Sequence, residues 1–403
     1  MKKVAKITPF QRILFFTGLI IAYISFFYFP ITESEKVFGF YLFFFSFFLS
    51  LNLTLLFRKI AITFGIYDHP NERKFHYHPT PLLGGMSIFF SFLLTIVLFE
   101  KHIENTLILY WILGMGFVIL VMGAIDDYKP LSAKVRLLVQ FLAAGVVIYH
   151  GIRISFLPNN LAGDIFEVIL SLLWIVGITN AINFIDGMDG LATGYIIITA
   201  SLLGIVAYQL VMPEYLFILL ALIGACGGFF PFNFRWHRRA MIFLGDSGAT
   251  FLGFFMGCLT LLGKWGSRND VYHSTNEVGV IIPFLILGVA IFDTIFTYVM
   301  RFREGRITRF DHILTYAGKD HFHHCLYEIG FPEKAVVLII YTITLCLGLG
   351  SIALRNARKI DAVILLFQAI IVLAMIGAFM VFVKKTHVIP KNGDDGYKKS
   401  ESQ

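Results

Sequence analysis

Residues 13–29 of the chain read ILFFTGLIIAYISFFYF. The stretch is apolar almost throughout, and its apolar residues do not alternate with polar ones as they would in a strand of a membrane barrel. Apolar runs of about 20 residues, the length of a membrane-spanning helix, recur from one end of the sequence to the other. The sequence therefore predicts an all-α, polytopic integral membrane protein.

The composition agrees with this prediction. Of the 403 residues, 57% are hydrophobic and 15% are charged, whereas about a quarter of the residues of a soluble domain are charged. The net charge of +7 comes from basic residues in short loops between apolar runs, which favours a lipid bilayer over a nucleic acid as the partner. The four cysteines form neither a C-x-x-C pair nor a zinc-binding spacing, so we interpret them as reduced thiols.

Hydropathy predicts about twelve membrane spans, which leave no room for a soluble domain. Residues 1–36 are expected to form an extra N-terminal span with a short loop, residues 37–383 the membrane-embedded domain, and residues 384–403 a polar, disordered tail. The predicted spans are 12–30, 37–57, 82–100, 106–125, 135–150, 165–182, 190–211, 215–232, 245–263, 278–300, 335–354 and 361–383.

The distribution of lysine and arginine predicts the orientation of these spans. The two termini and every second loop together carry 25 of the 33 basic residues. Because loops rich in lysine and arginine stay in the cytoplasm, both termini and these loops are expected there. The sequence thus predicts a multi-pass protein of the plasma (inner) membrane.

Six aspartates lie at or near the predicted cytoplasmic ends of spans. Acids at the membrane edge are costly and indicate function. Any one of them alone could be an ordinary helix-end acid, but their shared depth predicts a single site that faces the cytoplasm. The six are Asp126, Asp127, Asp186, Asp189, Asp246 and Asp293.

The neighbours of these acids indicate what the site could bind. Asp126 and Asp127 are adjacent, and their charges repel unless a divalent metal ion or a lysine lies beside them. Lys134, at the start of the next span, could meet a phosphate. Asp246 lies between two glycines at the start of a span, where its carboxylate would stand near a helix N-terminus.

Four oxygen-bearing side chains recur every third residue, at Asn180, Asn183, Asp186 and Asp189. On a straight helix, successive members would drift by about 60° and point to different sides. We therefore expect the glycines that follow the two aspartates to break the helix and turn these groups toward one cavity. A broken helix at the membrane edge suits metal, phosphate and nucleoside ligands.

Two predicted cytoplasmic loops are rich in cations. The loop after the tenth span combines arginines with a His-x-His-His cluster, for which an ordinary surface loop and a zinc tract are alternatives. Anion binding is favoured, because the pattern lacks a cysteine or a further histidine. In the other loop, residues 68–85, the cations lie between prolines, which restrict the backbone, and glycines, which allow unusual backbone angles. The cations of interest are Lys74, His76, Arg301, Arg303, His321, His323 and His324.

These segments, in this order and on one face, resemble those of the polyprenyl-phosphate N-acetylhexosamine-1-phosphate transferases, glycosyltransferase family 4. The resemblance covers residues 68–330 and includes the specific pattern Asn-x-x-Asn-x-x-Asp-Gly-x-Asp-Gly from residue 180. It implies transfer of a sugar-1-phosphate from a UDP-sugar (UDP-HexNAc) to a polyprenyl phosphate lipid, with release of UMP. The family depends on Mg²⁺, with Mn²⁺ as a substitute, and the resemblance leaves a homodimer open.

The resemblance also implies a role for each matching residue. It makes Asn183 and Asp246 the metal ligands. Catalytic roles fall to Asp126, Asp127, Lys134, Asp186 and Asp189. Substrate contacts fall to Lys74, His76, Asn180, Asp293, Arg301, Arg303, His321, His323 and His324.

Three alternatives stand beside this interpretation. The branch that transfers phospho-MurNAc-pentapeptide has three consecutive histidines followed by an aromatic residue and Glu, which this loop lacks. Cys325 also stands where many bacterial members have Arg. The sequence therefore favours a UDP-HexNAc donor such as UDP-GlcNAc, with a modified HexNAc left open, for the first membrane step of cell-surface glycan synthesis.

The other two alternatives fit the pattern less well. A secondary transporter would place its acids near the bilayer midplane within inverted repeats, whereas the acids here cluster at the membrane edge. The CDP-alcohol phosphotransferases open their motif with Asp-Gly-x-x-Ala-Arg, which the residues from Asp186 onward do not match.

Overall fold

The computed structural model describes most of the membrane domain. The described residues are 35–70, 78–103, 106–155, 157–158, 160–263, 265, 277–305, 320–354 and 359–386. The predicted span 12–30 and the residues Lys74 and His76 lie outside them, as does the tail beyond Thr386.

The described residues form thirteen α-helices and one small two-stranded sheet. Strand β1 (Tyr67–Asp68) pairs antiparallel with β2 (Thr80–Pro81). The helices are α1 Glu35–Phe64, α2 Gly84–Leu98, α3 Thr106–Tyr128, α4 Ala133–Tyr149, α5 Leu161–Ile185, α6 Leu191–Gln209, α7 Pro213–Asn233, α8 Gly245–Leu262, α9 Glu277–Ile286, α10 Gly288–Arg303, α11 Phe322–Glu328, α12 Glu333–Ala353 and α13 Lys359–Thr386.

The prediction of an all-α polytopic membrane protein is confirmed. Within the described part of the chain, eight helices are long and apolar enough to cross a membrane, and α2 is a shorter apolar helix. The predicted tenth span, 278–300, is divided into α9 and α10. Pro283, inside α9, lacks the N–H that would extend the helical ladder, and the helix is interrupted one turn later, at Leu287.

Helix α8 is the centre of the bundle and packs against α3 and α5. It is buried over almost its whole length. Small residues at a spacing of four, Ala249, Gly253 and Gly257, allow this approach, as small residues do between membrane helices. A Cβ at Gly253 would lie 2.7 Å from the Cα of Thr179 on α5.

The ends of α3, α5 and α7 meet the starts of α2, α4 and α8 at one face of the bundle, which we call the site face. Here the N–H groups of Gly84 and Gly85 donate to the carbonyls of Phe243 and Leu244, at 3.0 and 2.9 Å. A Cβ at Gly85 would overlap the backbone of Gly248. These backbone contacts join the start of α2 to the start of α8 and form the floor of the site.

Candidate active site

The site face holds a cavity of about 550 Å³, a volume typical of a small-molecule site. Its walls come from the ends of α3, α5 and α7, the starts of α4, α8, α11 and α12, and loops between the helices. The charged and histidine residues that line it are Asp68, Asp126, Asp127, Arg136, Asp186, Asp189, Arg239, Asp246, His324 and Glu333.

Asp127, at the end of α3, caps the N-terminus of α8. One carboxylate oxygen accepts the N–H of Asp246 at 2.8 Å and the other accepts the N–H of Ser247 at 3.2 Å. The first N–H groups of a helix have no partner within the helix and favour a negative charge. Gly245 has a φ of +79°, and a Cβ there would lie 2.6 Å from the Asp127 carboxylate. Glycine is therefore required for this contact.

Asp126, the neighbour of Asp127, pairs with an arginine. Its Oδ1 accepts the N–H of Leu131 at 2.6 Å, and its Oδ2 lies 2.9 Å from Nη1 of Arg136. Arg136 lines the cavity, whereas Lys134, the predicted phosphate ligand, is exposed and is not among the lining residues. The cation beside the two aspartates in the described structure is thus Arg136.

The two predicted metal ligands lie together. Nδ2 of Asn183, near the end of α5, donates to Oδ1 of Asp246 at 2.8 Å. The carboxylates of Asp246 and Asp126 are also close enough to interact directly. This contact brings two negative charges together at the cavity wall.

Asp186 and Asp189 lie in the turn between α5 and α6. As expected, the helix ends before Gly187, and α6 begins after Gly190, whose φ is +81°. Burial, and then the charges of Asp246, Asp127 and Asp189, raise the pKa of Asp186 well above its usual range.

Asp189, at the edge of the cavity, lies in a network of charges. Its Oδ2 accepts the N–H of Ala240 at 3.0 Å and lies 3.7 Å from Nζ of Lys334. Burial raises the pKa of Asp189. Arg239 and Glu333 form a close ion pair beside it. These contacts connect the α5–α6 turn to the loop between α7 and α8 and to the start of α12.

Asn180 is not brought to the cavity. Its Nδ2 donates to Oε1 of Gln140 on α4 at 2.6 Å and to the carbonyl of Val176 at 2.8 Å. The side chain lies one helical turn deeper than Asn183 and joins two helices.

The histidine cluster reaches the site from the other side. His324 lines the cavity, and His323 is buried against Gly187, where a Cβ would overlap its ring. Burial, and then the nearby His324 and His321, lower the pKa of His323 well below its usual range. Burial therefore favours the neutral form of the His323 ring.

Three other predicted substrate contacts lie behind this cluster or away from it. Asp293 contacts His321 at 2.9 Å, and Arg301 binds Asp320. Both are buried, whereas Arg303 is exposed at the end of α10. None of the three is among the described residues that line the cavity.

The oxygen-bearing side chains of the cavity can hold Mg²⁺ only together with other ligands. Among the described residues, no group of three or more acidic, histidine or cysteine side chains is arranged to hold a metal ion. Mg²⁺ does not need such a cage, because it is usually held by one or two carboxylates, water and substrate phosphates. A cation at Asp246 would also relieve the repulsion between Asp246 and Asp126. The residues present therefore fit Mg²⁺ bound together with a phosphorylated ligand.

Sequence analysis assigned no role to several charged residues of the site. Arg136, Asp68, Arg239 and Glu333 line the cavity and carried no prediction. Asp68 lies in a loop that we singled out for its cations, and the other three resemble ordinary loop or helix-end charges. Only their convergence in space distinguishes them.

Comparisons with known proteins agree with this geometry. The model of glycosyl transferase family 4 matches residues 108–264, which include the aspartates of α3, the α5–α6 turn and the start of α8. A probable undecaprenyl-phosphate N-acetylglucosaminyl 1-phosphate transferase of Bacillus subtilis is 33% identical over 331 residues, 81% of this chain and 87% of that protein. A decaprenyl-phosphate N-acetylglucosaminephosphotransferase of Mycolicibacterium smegmatis is 32% identical over 75% of this chain and 77% of that protein.

A second group of relatives is matched over a shorter length. A phospho-N-acetylmuramoyl-pentapeptide-transferase of Streptococcus pneumoniae is 34% identical over 202 residues, which are 45% of this chain and 59% of that protein. The similarity to the N-acetylglucosaminyl enzymes therefore extends over more of the chain.

Proposed function

Because the chain belongs to glycosyl transferase family 4, we propose that it transfers GlcNAc-1-phosphate from UDP-GlcNAc to a polyprenyl phosphate such as undecaprenyl phosphate. The products are polyprenyl-diphosphate-GlcNAc and UMP. The observation that carries the proposal is the convergence of carboxylates from α3, the α5–α6 turn and α8 on one cavity at the site face.

The site is proposed to face the cytoplasm, in the plasma (inner) membrane. The excess of lysine and arginine in the termini and loops on this side supports the orientation. A UDP-sugar is soluble and the acceptor is a membrane lipid, so a cavity at the membrane edge is accessible to both. The reaction would begin the synthesis of a cell-surface glycan.

We propose Mg²⁺ as the cofactor, with Mn²⁺ as a substitute. Asp246 and Asn183 would hold it, and Asp126 is close enough to Asp246 to contribute. When bound, the ion would neutralise charge on the donor diphosphate and on the departing UMP. This would reduce the repulsion between two phosphorylated reactants, which is the main obstacle to the reaction.

The proposed chemistry is a direct displacement. An oxygen of the polyprenyl phosphate attacks the phosphorus that bears the sugar, a P–O–P bond forms, and the bond to UMP breaks with the electron pair leaving on UMP. The second pKa of a phosphate monoester is near 6, so the acceptor is mostly dianionic at pH 7 and needs no general base. Asp126, held by Leu131 and Arg136, is therefore assigned a positioning role.

The basic side chains of the cavity would orient the phosphates. Arg136 and Arg239 line the walls beside the acids, and His324 lies on the side of the histidine cluster. Arginine can bind phosphate through two parallel hydrogen bonds. Together these side chains would offset the negative charge of the cavity's carboxylates and allow an anionic substrate to bind.

A turnover assay tests the proposed function. The purified full chain is incubated with polyprenyl phosphate and, separately, UDP-GlcNAc, UDP-GalNAc or UDP-MurNAc-pentapeptide, and UMP release is measured with Mg²⁺ or with EDTA. We expect release with UDP-GlcNAc that requires the lipid and stops with EDTA. Release with UDP-MurNAc-pentapeptide alone would favour the alternative branch, and no release with any donor would contradict the proposal.

A trapping experiment distinguishes direct displacement from a covalent aspartyl intermediate. The protein is mixed with donor labelled in the sugar, without acceptor lipid, and analysed as an intact mass. We expect no labelled protein. A sugar-phosphate adduct that disappears when polyprenyl phosphate is added would contradict direct attack.

A further inference from the structure

One face of α10 carries three buried polar residues in a row. Asp293, Thr297 and Arg301 are spaced by four residues, which places them on the same side of a helix. Their exposed fractions are 2%, 1% and 3%. Buried polar groups require partners, and among the described residues the segment 320–322 supplies hydrogen-bond partners to all three.

Asp293 holds the beginning of α11 with both carboxylate oxygens. Oδ1 accepts the N–H of Phe322 at 2.6 Å, and Oδ2 lies 2.9 Å from Nδ1 of His321. The imidazole also packs against the ring of Phe184, with centroids 5.0 Å apart. The orientation of the His321 ring is therefore fixed from two sides.

Arg301 and Thr297 hold the residue before the histidines. Nε and Nη2 of Arg301 donate to the two carboxylate oxygens of Asp320, at 2.7 and 2.6 Å. Oγ1 of Thr297 donates to the carbonyl of Asp320 at 3.4 Å. A bidentate arginine–carboxylate pair fixes direction as well as distance.

The fixed segment leads directly into the cavity wall. His323 lies against Gly187, and its Nε2 has no hydrogen-bond partner among the described residues. His324 lines the cavity beside the aspartates. The position of both rings relative to the α5–α6 turn thus depends on how the preceding three residues are anchored to α10.

We propose that Asp293, Thr297 and Arg301 are positioning residues that hold the histidine segment at the cavity for recognition of the sugar nucleotide. The three form one contact surface, which we call the α10 clamp. This assignment rests on the proposed function and changes the expected role of Asp293 and Arg301. Their side chains act through Asp320, His321 and Phe322, and do not touch the substrate.

A kinetic comparison tests the clamp. Asp293→Asn keeps the shape of the side chain and an acceptor for the Phe322 N–H, but removes the charge that faces His321. In the UMP-release assay we expect KM for UDP-GlcNAc to rise about 10- to 100-fold, as misplaced binding groups do, with KM for polyprenyl phosphate unchanged. A purely structural defect would lower the active fraction and so reduce kcat without changing either KM, and that result would overturn the proposal.

Glu167→Gln is the matched control. Glu167 is also a buried carboxylate that accepts a backbone N–H, that of Leu157 at 2.9 Å, and lies 4.0 Å from an arginine, Arg153. It lies at the opposite end of α5 from the site. We expect Glu167→Gln to keep both KM values even if its melting temperature falls as much as that of Asp293→Asn.

A double-mutant cycle tests whether Asp293 acts through His321. If it does, Asp293→Asn combined with His321→Ala should be no worse in kcat/KM for the donor than His321→Ala alone. Effects that multiply would show that Asp293 acts independently of His321 and would overturn the assignment.

Hydrogen exchange separates failure of the clamp from failure of the proposed function. Whatever the substrate, Asp293→Asn should speed amide exchange in a peptide covering 320–328 relative to wild type and to Glu167→Gln. Inactive wild-type protein in which this effect is seen would refute the function and retain the clamp. Unchanged exchange in that peptide would refute the clamp even in an active enzyme.

Discussion

At the residue scale, Asp127 has a structural task that is visible without any substrate. Its carboxylate accepts two backbone N–H groups at the N-terminus of α8, and those groups would be left unpaired in Asp127→Ala. We expect this substitution to cost about 1–3 kcal/mol of stability and to lower the melting temperature in detergent. Asp164→Ala, which removes a half-exposed acid from the first turn of α5, should change it little. Equal effects of the two variants would contradict the capping role.

Asp246 gives the corresponding prediction for activity. Asp246→Asn keeps the volume of the side chain but removes the charge that would hold the metal ion. We expect turnover to fall by about 10²–10³-fold or more while the yield of folded protein is unchanged. Normal UMP release by this variant would remove the metal assignment, and Asp164→Asn serves as the control for a carboxylate distant from the cavity.

The choice between Lys134 and Arg136 shows what the sequence could not decide at this scale. The residues are two positions apart, and so they lie about 200° apart around α4. Only one of them can face Asp126, and which one does depends on how α4 is rotated against α3. The sequence predicted a cation beside the paired aspartates, and the identity of that cation followed only from the helix packing.

At the scale of the element, the break after α5 was predictable and its effect on the four polar side chains was only partly so. The spacing of three residues indicated different directions on a straight helix, and the following glycines indicated where the helix ends. Asn183 reaches Asp246, whereas Asn180 binds Gln140. The break comes too late in the chain to redirect Asn180.

The packing of α8 gives a prediction about glycine. A Cβ at Gly253 would lie 2.7 Å from the Cα of Thr179, whereas nothing lies within 4 Å of a Cβ at Gly145. Because backbone cannot move aside cheaply, Gly253→Ala should destabilise the protein by about 1–3 kcal/mol. Gly145→Ala, on α4, should leave the melting temperature unchanged or slightly higher, since alanine favours a helix. Equal melting temperatures for the two variants would show that α5 and α8 do not pack as described.

The stability that the Asp320–Arg301 ion pair contributes between α10 and α11 should depend on pH. Burial alone would raise the pKa of Asp320, but the hydrogen bonds and charge of Arg301 outweigh it, and the pKa is lowered. A lowered pKa in the folded state stabilises the protein above the unfolded value of about 3.9, and this stabilisation is lost as the pH falls through the folded value. Wild type should therefore melt above Asp320→Asn at pH 7, and the difference should shrink below about pH 4. A difference that grows on acidification would contradict the ion pair.

At the scale of the whole molecule, periodicity and charge were enough to predict the helical membrane fold and a common face for the acids. The spans from 37–57 onward correspond to helices of the structure because long apolar runs have few other ways to satisfy their backbone in a bilayer. Side-chain contacts between elements, such as those of the α10 clamp with the segment 320–322, could not be predicted, because hydropathy carries no information on helix rotation or on which neighbours meet. The spacing of Asp293, Thr297 and Arg301 by four residues was the available signal for the clamp.

The overall arrangement also distinguishes the enzyme from the transporter alternative. A transporter would hold its acids near the middle of discontinuous helices. Here Asp126 and Asp127 lie at the end of α3, Asp186 just after α5, and Asp246 at the start of α8. The cavity is thus at the edge of the bundle, which suits a reaction between a soluble donor and a lipid acceptor.

A divalent ion held by the carboxylates of the cavity should also bind the donor diphosphate. Pulsed electron paramagnetic resonance on the protein loaded with Mn²⁺ and UDP-GlcNAc tests this claim, read as the hyperfine coupling between protein-bound Mn²⁺ and ³¹P. The coupling should be present in wild type and in Asp164→Asn, and absent in Asp246→Asn. Bound Mn²⁺ without coupling to phosphorus, or coupling that survives Asp246→Asn, would contradict the claim.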